Sequence, residues 1–276
     1  MTYIEFDFKV EPLALGSEIL IAQLGEVGFE SFVENEEGFL AYINQLDFNK
    51  SLLKDVQLLS HPDFKVTWSS KQIEQQNWNA EWEKNFHPIK VANRCMVRAP
   101  FHPKEAVAFD IVIEPKMSFG TGHHETTHMM LQLILDNDFK DKAVLDMGCG
   151  TGILAILAEM KGAKPIEAID IDHWCYLNSI ENVARNKCTQ IKVFEGDSSL
   201  LLNKKFDVII ANINRNILLE DIAIYSKCLN ANGLLFLSGF YKSDLKIIAS
   251  KCDEHSLKFD NNLEKNNWVA AVYLKM

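Results

Sequence analysis

The sequence lacks the long apolar runs and the cysteine pairs that several classes of protein require. No apolar stretch in its 276 residues approaches the roughly 18 residues of a membrane span. Met1–Asp7 has neither a basic start nor an apolar stretch, so no signal peptide is predicted. The six cysteines are scattered without a C-x-x-C pair, which favours reduced thiols over disulfides. These absences predict a cytoplasmic protein, and no metal site is expected because no cluster has metal-ligand spacing.

Positive charge is also scarce. The chain has 28 Lys/Arg against 38 Asp/Glu, and its net charge of -10 argues against a chain-wide nucleic-acid surface. Residues 1–86 contain 15 Asp/Glu and 6 Lys/Arg, whereas residues 87–276 contain 23 and 22. The acidic first third is either a solvated surface that keeps the protein soluble or a docking face for a basic partner, because opposite charge steers encounter.

The order of sequence patterns predicts two domains and a linker, without internal repeats. Residues 1–66 predict a small α+β, ferredoxin-like domain with the order β-α-β-β-α-β. Its predicted elements are strand Tyr3–Val10, helix Leu13–Leu24, strands Phe29–Val33 and Gly38–Ile43, a helix near Asn49–Leu59, and strand Phe64–Trp68. Residues 67–88 predict a polar linker helix, ended by Pro88, whose Trp78 and Trp82 share a face and pack on a neighbouring domain.

Strands alternate with helices in residues 89–276, which predicts an α/β domain with a doubly wound, mainly parallel sheet. The predicted strands are Ala143–Leu145, Glu167–Ile171, Ile191–Phe194, Val208–Ala211, Leu234–Leu237 and Trp268–Leu274. The last strand follows the hairpin-like segment Asp260–Asn267, and we expect it to be antiparallel.

The most informative stretch is V-L-D-M-G-C-G-T-G at residues 144–152. An apolar strand ends at Asp146, and Gly148, Gly150 and Gly152 follow at alternate positions. Such a turn lets a ligand approach backbone N–H groups that a Cβ would shield. A dinucleotide-binding turn would read G-x-G-x-x-G, but here the third glycine comes one residue early. This spacing, with an acid two residues before the first glycine, resembles motif I of the class I S-adenosylmethionine-dependent methyltransferases.

Polar groups follow the next predicted strands at the edge where such sheets bind ligands. Asp170 is placed to accept both hydroxyls of a ribose, and Asp172 reads as the N-cap of the next helix. Asp197, beside Ser198, is placed to accept the amino group of an adenine, and Asn212 ends the fourth strand. Taken alone, each acid is better explained as a helix cap or a surface charge. Together, at successive strand ends, they indicate a nucleoside-bearing ligand.

The segment M-S-F-G-T-G-H-H-E-T-T at residues 117–127 indicates which family of methyltransferases the chain resembles. From its residues alone it is a tight loop in which Thr126 or Thr127 caps the following helix. It resembles the F-G-T-G-T-H-P-T-T loop of the bacterial ribosomal protein L11 methyltransferases. Residues 77–88, 146–152, 170–172 and 211–213 resemble other motifs of that family, and residues 1–66 resemble it by domain order. The departures are His123 for Thr, Glu125 for Pro, and Asn214-Arg215 for Leu-Ala.

The resemblance implies a Rossmann-like class I protein N-methyltransferase. It would transfer methyl groups from S-adenosylmethionine to lysine and N-terminal amines of ribosomal protein L11, leaving S-adenosylhomocysteine. It implies a substrate-recognition role for residues 1–66, a basic ribosomal protein as partner, and no direct binding of nucleic acid or membrane. The implied cofactor-binding residues are Phe119, Gly120, Thr121, Gly122, Thr127, Asp146, Gly148, Gly150, Gly152, Asp170, Asp197, Ser198 and Asn212. His124 matches the family's histidine.

Transfer to an amine requires that the amine be neutral. A lysine with a pKa of about 10.4 is roughly 0.1% neutral at pH 7.4, which is equivalent to about 4 kcal/mol. Asn212 cannot be a base, but its carbonyl can orient the amine lone pair. His123, His124 and bulk water are the candidate proton acceptors.

Two other classes of function remain open. The acidic N-terminal domain and the near-neutral catalytic domain disfavour a methyltransferase that acts on RNA. A separate folded N-terminal domain disfavours one that acts on a small metabolite. A binding module without activity is disfavoured by the intact motif loops.

Overall fold

The computed structural model describes residues 3–49, 51–73, 87–114, 116 and 118–276. The chain divides into two compact units, Met1–Lys84 and Asn85–Met276. Each unit is described by itself.

The first unit is a four-stranded antiparallel sheet with one α-helix. Its elements are β1 (Tyr3–Glu11), α1 (Leu13–Glu26), β2 (Ser31–Asn35), β3 (Gly38–Asn44) and β4 (Lys65–Ile73). The strand order is β2-β3-β1-β4, and every pair is antiparallel. Phe6 and Phe8 alternate with polar residues along β1, and both are buried with Leu20 and Leu24 of α1. The predicted ferredoxin-like order of strands is confirmed.

The predicted second helix near Asn49–Leu59 is wrong. The segment forms two 3₁₀ turns, Leu52–Lys54 and Gln57–Ser60, separated by an extended Val56. The extended residue allows both Val56 and Leu58 to reach the core, where they are 2% and 4% exposed. A continuous helix would place these two residues on different faces.

Strand β4 extends beyond its predicted end. Its backbone pairs with β1 along its whole length, from Glu11↔Lys65 to Tyr3↔Ile73. Residues 67–73, which we assigned to the linker helix, are therefore strand residues of the first sheet. Residues 74–86 of the predicted linker, including Trp78 and Trp82, lie outside the described residues.

The second unit contains a seven-stranded sheet and a small three-stranded sheet. The small sheet is formed by β5 (Ile89–Val91), β6 (Cys95–Arg98) and β7 (Phe109–Val112). The large sheet comprises β8 (Val144–Met147), β9 (Ile166–Asp170), β10 (Ile191–Glu195), β11 (Phe206–Asn212), β12 (Leu229–Tyr241), β13 (Leu257–Lys265) and β14 (Trp268–Lys275). Its helices are α2 (Glu125–Asp136), α3 (Ile153–Met160), α4 (His173–Arg185), α5 (Arg215–Cys228) and α6 (Leu245–Glu254).

The large sheet has the order β10-β9-β8-β11-β12-β14-β13. Strands β8 to β12 are parallel to one another, and β14 runs antiparallel to both of its neighbours. Buried clusters lie on both faces of the sheet, one with α2 and α3 and the other with α5 and α6. The predicted doubly wound sheet with an antiparallel last strand is confirmed.

Strand β13 was not predicted. Leu257–Lys265 lies at the edge of the sheet, and most of its side chains are exposed, so its polar sequence reads as a loop. Only Asn266 and Asn267 form the actual turn. No helix within the described segments is long and apolar enough to cross a membrane.

The topology fixes where a ligand can bind. The chain order reverses between β8 and β11, which are neighbours in the sheet. Their carboxyl ends open a crevice, and ligands of doubly wound sheets bind at this position.

Candidate active site

The glycine loop joins β8 to α3 at the crevice. Gly148, Gly150 and Gly152 all have positive φ, at 69°, 55° and 77°. A Cβ on Gly148 would lie 2.1 Å from Cγ2 of Ile213, and one on Gly150 would lie 2.3 Å from the carbonyl oxygen of Phe119. Glycine is therefore required by the backbone conformation and by close packing of neighbouring loops.

The expected exposure of this loop's N–H groups to a ligand is wrong. The N–H groups of Gly148 and Cys149 donate to the carbonyl of Ile169 at 2.8 and 3.1 Å. Those of Thr151 and Gly152 donate to the carbonyls of Phe119 and Cys149, and that of Gly150 donates to the Asp170 carboxylate. All five backbone N–H groups of residues 148–152 are therefore bonded to other groups of the protein. A ligand can therefore pack closely against the loop backbone, but the loop has no free N–H group with which to bind an anion.

Asp146 lies behind the loop. It is 1% exposed, and its Oδ2 accepts the N–H of Ala155 at 3.1 Å, which joins β8 to α3. Its Oδ1 is buried and has no hydrogen-bond partner in the part of the chain that the structure describes. Burial raises the pKa of the Asp146 carboxyl to about 7. Its direct contact with a cofactor stays a prediction, because the structure does not place it in the cavity wall.

Asp170 ends β9 and faces the crevice. Its Oδ2 accepts the N–H of Gly150 at 2.8 Å, and its Oδ1 accepts the N–H of Asp172 at 3.0 Å. Each oxygen has a second lone pair. Asp172 caps α4 through the N–H of Cys175 at 2.9 Å, as predicted.

The turn after β10 places a second set of polar groups at the crevice. Asp197 accepts the N–H of Ser199 at 2.9 Å and so caps the 3₁₀ turn Ser198–Leu201. The hydroxyl of Ser198 donates to Asp221 Oδ1 at 2.8 Å, and the hydroxyl of Tyr225 donates to Asp221 Oδ2 at 3.0 Å. Asp221 belongs to α5, so this network joins the turn to that helix.

Asn212 ends β11 beside the glycine loop. Its Nδ2 lies 3.5 Å from Oγ1 of Thr127, which is 1% exposed. Its Oδ1 is buried, has no hydrogen-bond partner among the described residues, and belongs to a residue that lines the cavity. A buried acceptor without a partner is costly unless a ligand supplies a donor.

The Phe119–Gly122 segment packs on the glycine loop. Besides the contact of Phe119 noted above, the hydroxyl of Thr151 donates to the carbonyl of Gly120 at 2.5 Å. Phe119 is 51% exposed and lines the cavity. Gly122 instead faces Ile89 and Val97 of the small sheet.

The two histidines make different contacts. His124, rather than Thr126 or Thr127, is the N-cap of α2, because its Nδ1 accepts the N–H of Thr126 at 3.3 Å. The proton of the neutral ring then lies on Nε2. His123 is exposed; its Nε2 lies 3.0 Å from the carbonyl oxygen of His87 and its Nδ1 lies 3.2 Å from the Thr121 hydroxyl. Both ring nitrogens of His123 and the Nδ1 of His124 are engaged in these contacts, and a role as proton acceptor for either histidine stays a prediction.

These elements surround a cavity of about 840 Å³, within the range of small-molecule sites. The predicted residues that line it are Phe119, His124, Gly148, Gly150, Asp170, Asp197, Ser198 and Asn212. The predicted residues outside its lining are Gly120, Thr121, Gly122, His123, Thr127, Asp146 and Gly152.

Sequence reasoning missed part of the lining. Ile171 follows Asp170 and Gly196 precedes Asp197, so the motifs around these two acids could have indicated both residues. Ile217, Glu220, Asp221 and Ile224 come from α5, and Gly239 and Trp268 from β12 and β14. No sequence motif pointed to these last two groups.

The cavity is acidic. Asp170, Asp197, Glu220 and Asp221 line it, and its lining within the described residues includes no Lys or Arg. The site therefore favours a cationic ligand.

One departure from the resembling family has a clear structural role. Asn214 is the N-cap of α5, and its Oδ1 accepts the N–H groups of Asn216 and Ile217 at 3.1 and 3.2 Å. The adjoining Arg215 pairs with Asp244 at 3.0 Å. This departure strengthens the helix that forms one wall of the cavity.

Comparison with known proteins identifies a family. The profile of the family described as "Ribosomal protein L11 methyltransferase (PrmA)" matches residues 18–275. The ribosomal protein L11 methyltransferase of Bacteroides thetaiotaomicron is 48% identical over 278 residues, covering 99% of each chain. That of Porphyromonas gingivalis is 44% identical over 283 residues, covering 99% of this chain and 98% of the relative. The crystal structure of the ribosomal protein L11 methylase from Lactobacillus delbrueckii subsp. bulgaricus matches with a TM-score of 0.63 and 29% identity, over 68% of this chain and 98% of that chain.

Proposed function

The chain belongs to the ribosomal protein L11 methyltransferase family, and we propose that it transfers methyl groups from S-adenosylmethionine to lysine and N-terminal amines of that ribosomal protein. The observation that carries this proposal is one acidic cavity with two different ends. Asp170 lies toward one end, and Asn212, whose Oδ1 has no hydrogen-bond partner among the described residues, lies toward the other.

The residues present fit S-adenosylmethionine. Asp170 retains one lone pair on each carboxylate oxygen, which matches the two hydroxyls of a ribose. Ile171 and Ile217 offer apolar surface to an adenine, beside the polar turn at Asp197. The internally bonded glycine loop suits a ligand without a pyrophosphate. The absence of Lys and Arg from the described cavity lining suits a sulfonium cation.

The sheet order gives the ligand a direction. Asp197 follows β10, Asp170 ends β9, Gly148 follows β8 and Asn212 ends β11, and these four strands are consecutive in the sheet. Adjacent strands are about 4.8 Å apart, so these groups span roughly 14 Å. The adenosine would lie across β10 and β9, and the reacting end would lie near β11. Bound in this way, S-adenosylmethionine would supply an activated methyl group on sulfur.

Asn212 is then placed to orient the acceptor. Its Oδ1 would accept an N–H of the incoming amine, and this contact directs the amine lone pair. Alignment is the main contribution that the protein must make, because the donor is already activated. His124 presents an N–H, so the amine proton leaves to water rather than to this ring.

The remaining assignments follow from this proposal. Residues 1–73 would recognise a basic ribosomal protein through their acidic surface, and residues 74–88 would connect the two units. We place the activity in the cytoplasm, where ribosomal proteins are made. The acidic charge of the chain disfavours RNA as the acceptor.

A methylation assay tests the proposal. The purified protein is incubated with isotope-labelled S-adenosylmethionine and, separately, ribosomal protein L11, ribosomal RNA and a mixture of free amino acids. Mass spectrometry should find label only in the ribosomal protein, on lysine or N-terminal nitrogens. Label in RNA or amino acids would support the rival substrates. Cofactor binding without turnover on any of them would support a binding module.

A further inference from the structure

The turn between β13 and β14 presents Trp268 to the cavity. The turn consists of Asn266 and Asn267, whose φ angles are 51° and 66°. Two-residue turns with two positive φ angles are the type I′ turns that match the twist of a hairpin. Lys265 pairs with Trp268 directly after the turn, and Trp268 lines the cavity.

Two contacts hold this turn from outside the hairpin. The side-chain Nδ2 of Asn266 donates to Oε1 of Glu125 at 2.8 Å. The N–H of Lys242 donates to the carbonyl of Asn267 at 2.8 Å. Glu125 is the first residue of α2 and follows the N-cap His124. The same helix start therefore fixes both His124 and the turn that presents Trp268.

Trp268 completes an aromatic wall, which we define as Phe119, His124 and Trp268. The ring centroids of His124 and Trp268 are 4.8 Å apart at 69°, and those of Phe119 and His124 are 5.2 Å apart at 60°. All three residues line the cavity. The ring of Tyr241 also contacts Trp268, with centroids 4.0 Å apart and the ring planes tilted by 33°.

The sheet places Trp268 on the acceptor side of the cavity. Strand β14 is separated from β11 by β12, and β9 lies on the opposite side of β11. Because β14 is antiparallel, its first residue lies at the same edge as the carboxyl ends of the other strands. Along this edge of the sheet, Trp268 and Asp170 therefore lie on opposite sides of Asn212.

We propose that Glu125 is a positioning residue: by bonding Asn266 it holds Trp268 against His124 and sets the width of the acceptor end of the cavity. This inference rests on the proposed function, since it assigns that end to the amine. The loop of the resembling family has Pro at this position, and a Pro side chain has no hydrogen-bond acceptor. The contact accompanies a departure of this chain from that loop pattern.

Kinetics of two variants test the role. Glu125→Ala removes the acceptor, and its kcat on the ribosomal protein should fall about five- to tenfold, while the Kd for S-adenosylmethionine stays within twofold. A misplacement of about 1 Å at a reacting centre can lower the rate about 100-fold, and we expect a smaller displacement of the cavity wall to cost less. Glu125→Gln keeps an acceptor oxygen for Asn266 and should stay within twofold of wild type. Glu254→Ala, which removes a glutamate from the surface of α6, is the matched control and should have no effect.

A second variant probes the same hydrogen bond from its donor. Asn266→Gly removes the donor and still accepts the positive φ of this position. Its loss of kcat should equal that of Glu125→Ala, and the double variant should be no worse than either single variant. Additive losses would overturn the proposal, because they would mean that the two residues act separately.

A readout without turnover separates this inference from the proposed function. The protein labelled with 5-fluorotryptophan has five tryptophans, and Trp268→Phe assigns the ¹⁹F resonance of Trp268. That resonance should shift or broaden in Glu125→Ala and match wild type in Glu125→Gln. If wild type methylates no ribosomal protein, the proposed function fails and the resonance still decides whether Glu125 positions Trp268. An unchanged resonance, an unchanged kcat in an active enzyme, a failed rescue by Gln, or an equal loss of cofactor affinity would each overturn the inference.

Discussion

The carboxylate of Asp170 binds the glycine loop directly, since its Oδ2 accepts the N–H of Gly150 at 2.8 Å. Its Oδ1 accepts the N–H of Asp172 at 3.0 Å. The residue proposed to hold the ribose therefore also fixes the loop beside it. Cofactor affinity and loop geometry should depend on the same side chain.

The first prediction follows from this double role. Asp170→Ala should weaken S-adenosylmethionine binding at least tenfold while the protein stays folded. Hydrogen bonds to a charged group are worth about 1.5–3 kcal/mol each, and the variant also loosens the loop. Isothermal titration calorimetry measures the affinity, and circular dichroism checks the fold.

The neighbouring carboxylate supplies the control. Asp172→Ala removes the cap of α4, which lowers stability by about 1 kcal/mol. Its affinity for the cofactor should stay within twofold of wild type. Equal affinities of wild type and Asp170→Ala would refute the assignment of the ribose to Asp170.

The second prediction concerns the acidic cavity. S-adenosylmethionine carries one net positive charge and S-adenosylhomocysteine carries none. Glu220→Gln, which neutralises an exposed carboxylate of the lining, should weaken binding of S-adenosylmethionine about two- to fourfold at 50 mM salt. Binding of S-adenosylhomocysteine should not change, and the difference should shrink at higher salt because screening weakens exposed charges. Equal effects on both ligands in calorimetry would show that Glu220 acts by shape or contact.

The strand ends were the predictable part of the site. Parallel strands place their carboxyl ends at one edge, so Asp170, Asp197 and Asn212 could be brought together from the order of strands alone. The cap at Asp172 was also predictable, because its position before a helical pattern defines its role.

The remainder depends on tertiary packing. Sequence spacing does not reveal that the N–H of Gly150 is already bonded, or that Asp146 is buried behind the loop. Trp268 reaches the cavity because β14 pairs antiparallel with β12, a contact between segments distant in sequence. Strand β13 was missed because an exposed edge strand carries no apolar alternation.

The third prediction is the pH dependence of catalysis. With a lysine acceptor, kcat/KM should rise about tenfold per pH unit from pH 6 to pH 9, because the neutral fraction of an amine with a pKa of about 10.4 rises in that way. A substrate whose only acceptor is an N-terminal amine should level off near pH 8. Initial rates measure both profiles. A plateau already present between pH 6 and pH 7 with lysine would indicate a base in the enzyme and contradict the proton route to water.

The fourth prediction concerns stability. Burial raises the pKa of Asp146 to about 7 from a usual value of 3.8. The stability associated with its proton is therefore fully present below the unfolded pKa and is lost as the pH rises through about 7. The loss is at most on the order of 4 kcal/mol. Asp146→Asn cannot ionise, so its melting temperature relative to wild type should rise by roughly 4–10 °C between pH 4.5 and pH 7.5.

Differential scanning fluorimetry without cofactor measures this difference at each pH. The trend with pH is the diagnostic, because any packing change caused by the amide contributes equally at every pH. A difference that is constant across the range would mean that Asp146 is already ionised in the folded protein at low pH.

The fifth prediction tests whether the acidic surface of the first unit docks the substrate. Glu34, near the end of β2, and Glu36, in the turn before β3, are both exposed. Replacing both with Gln should raise KM for the ribosomal protein about two- to fivefold, with kcat and the cofactor Kd unchanged, because complementary charge mainly affects encounter. The wild-type KM should also rise with salt, and the variant should show the weaker salt dependence. Asp253→Asn with Glu254→Gln removes the same charge from exposed positions on α6 of the second unit. A control that raises KM as much as the test pair would mean that net charge alone governs encounter, and the acidic first unit would then be a solvated surface rather than a docking face.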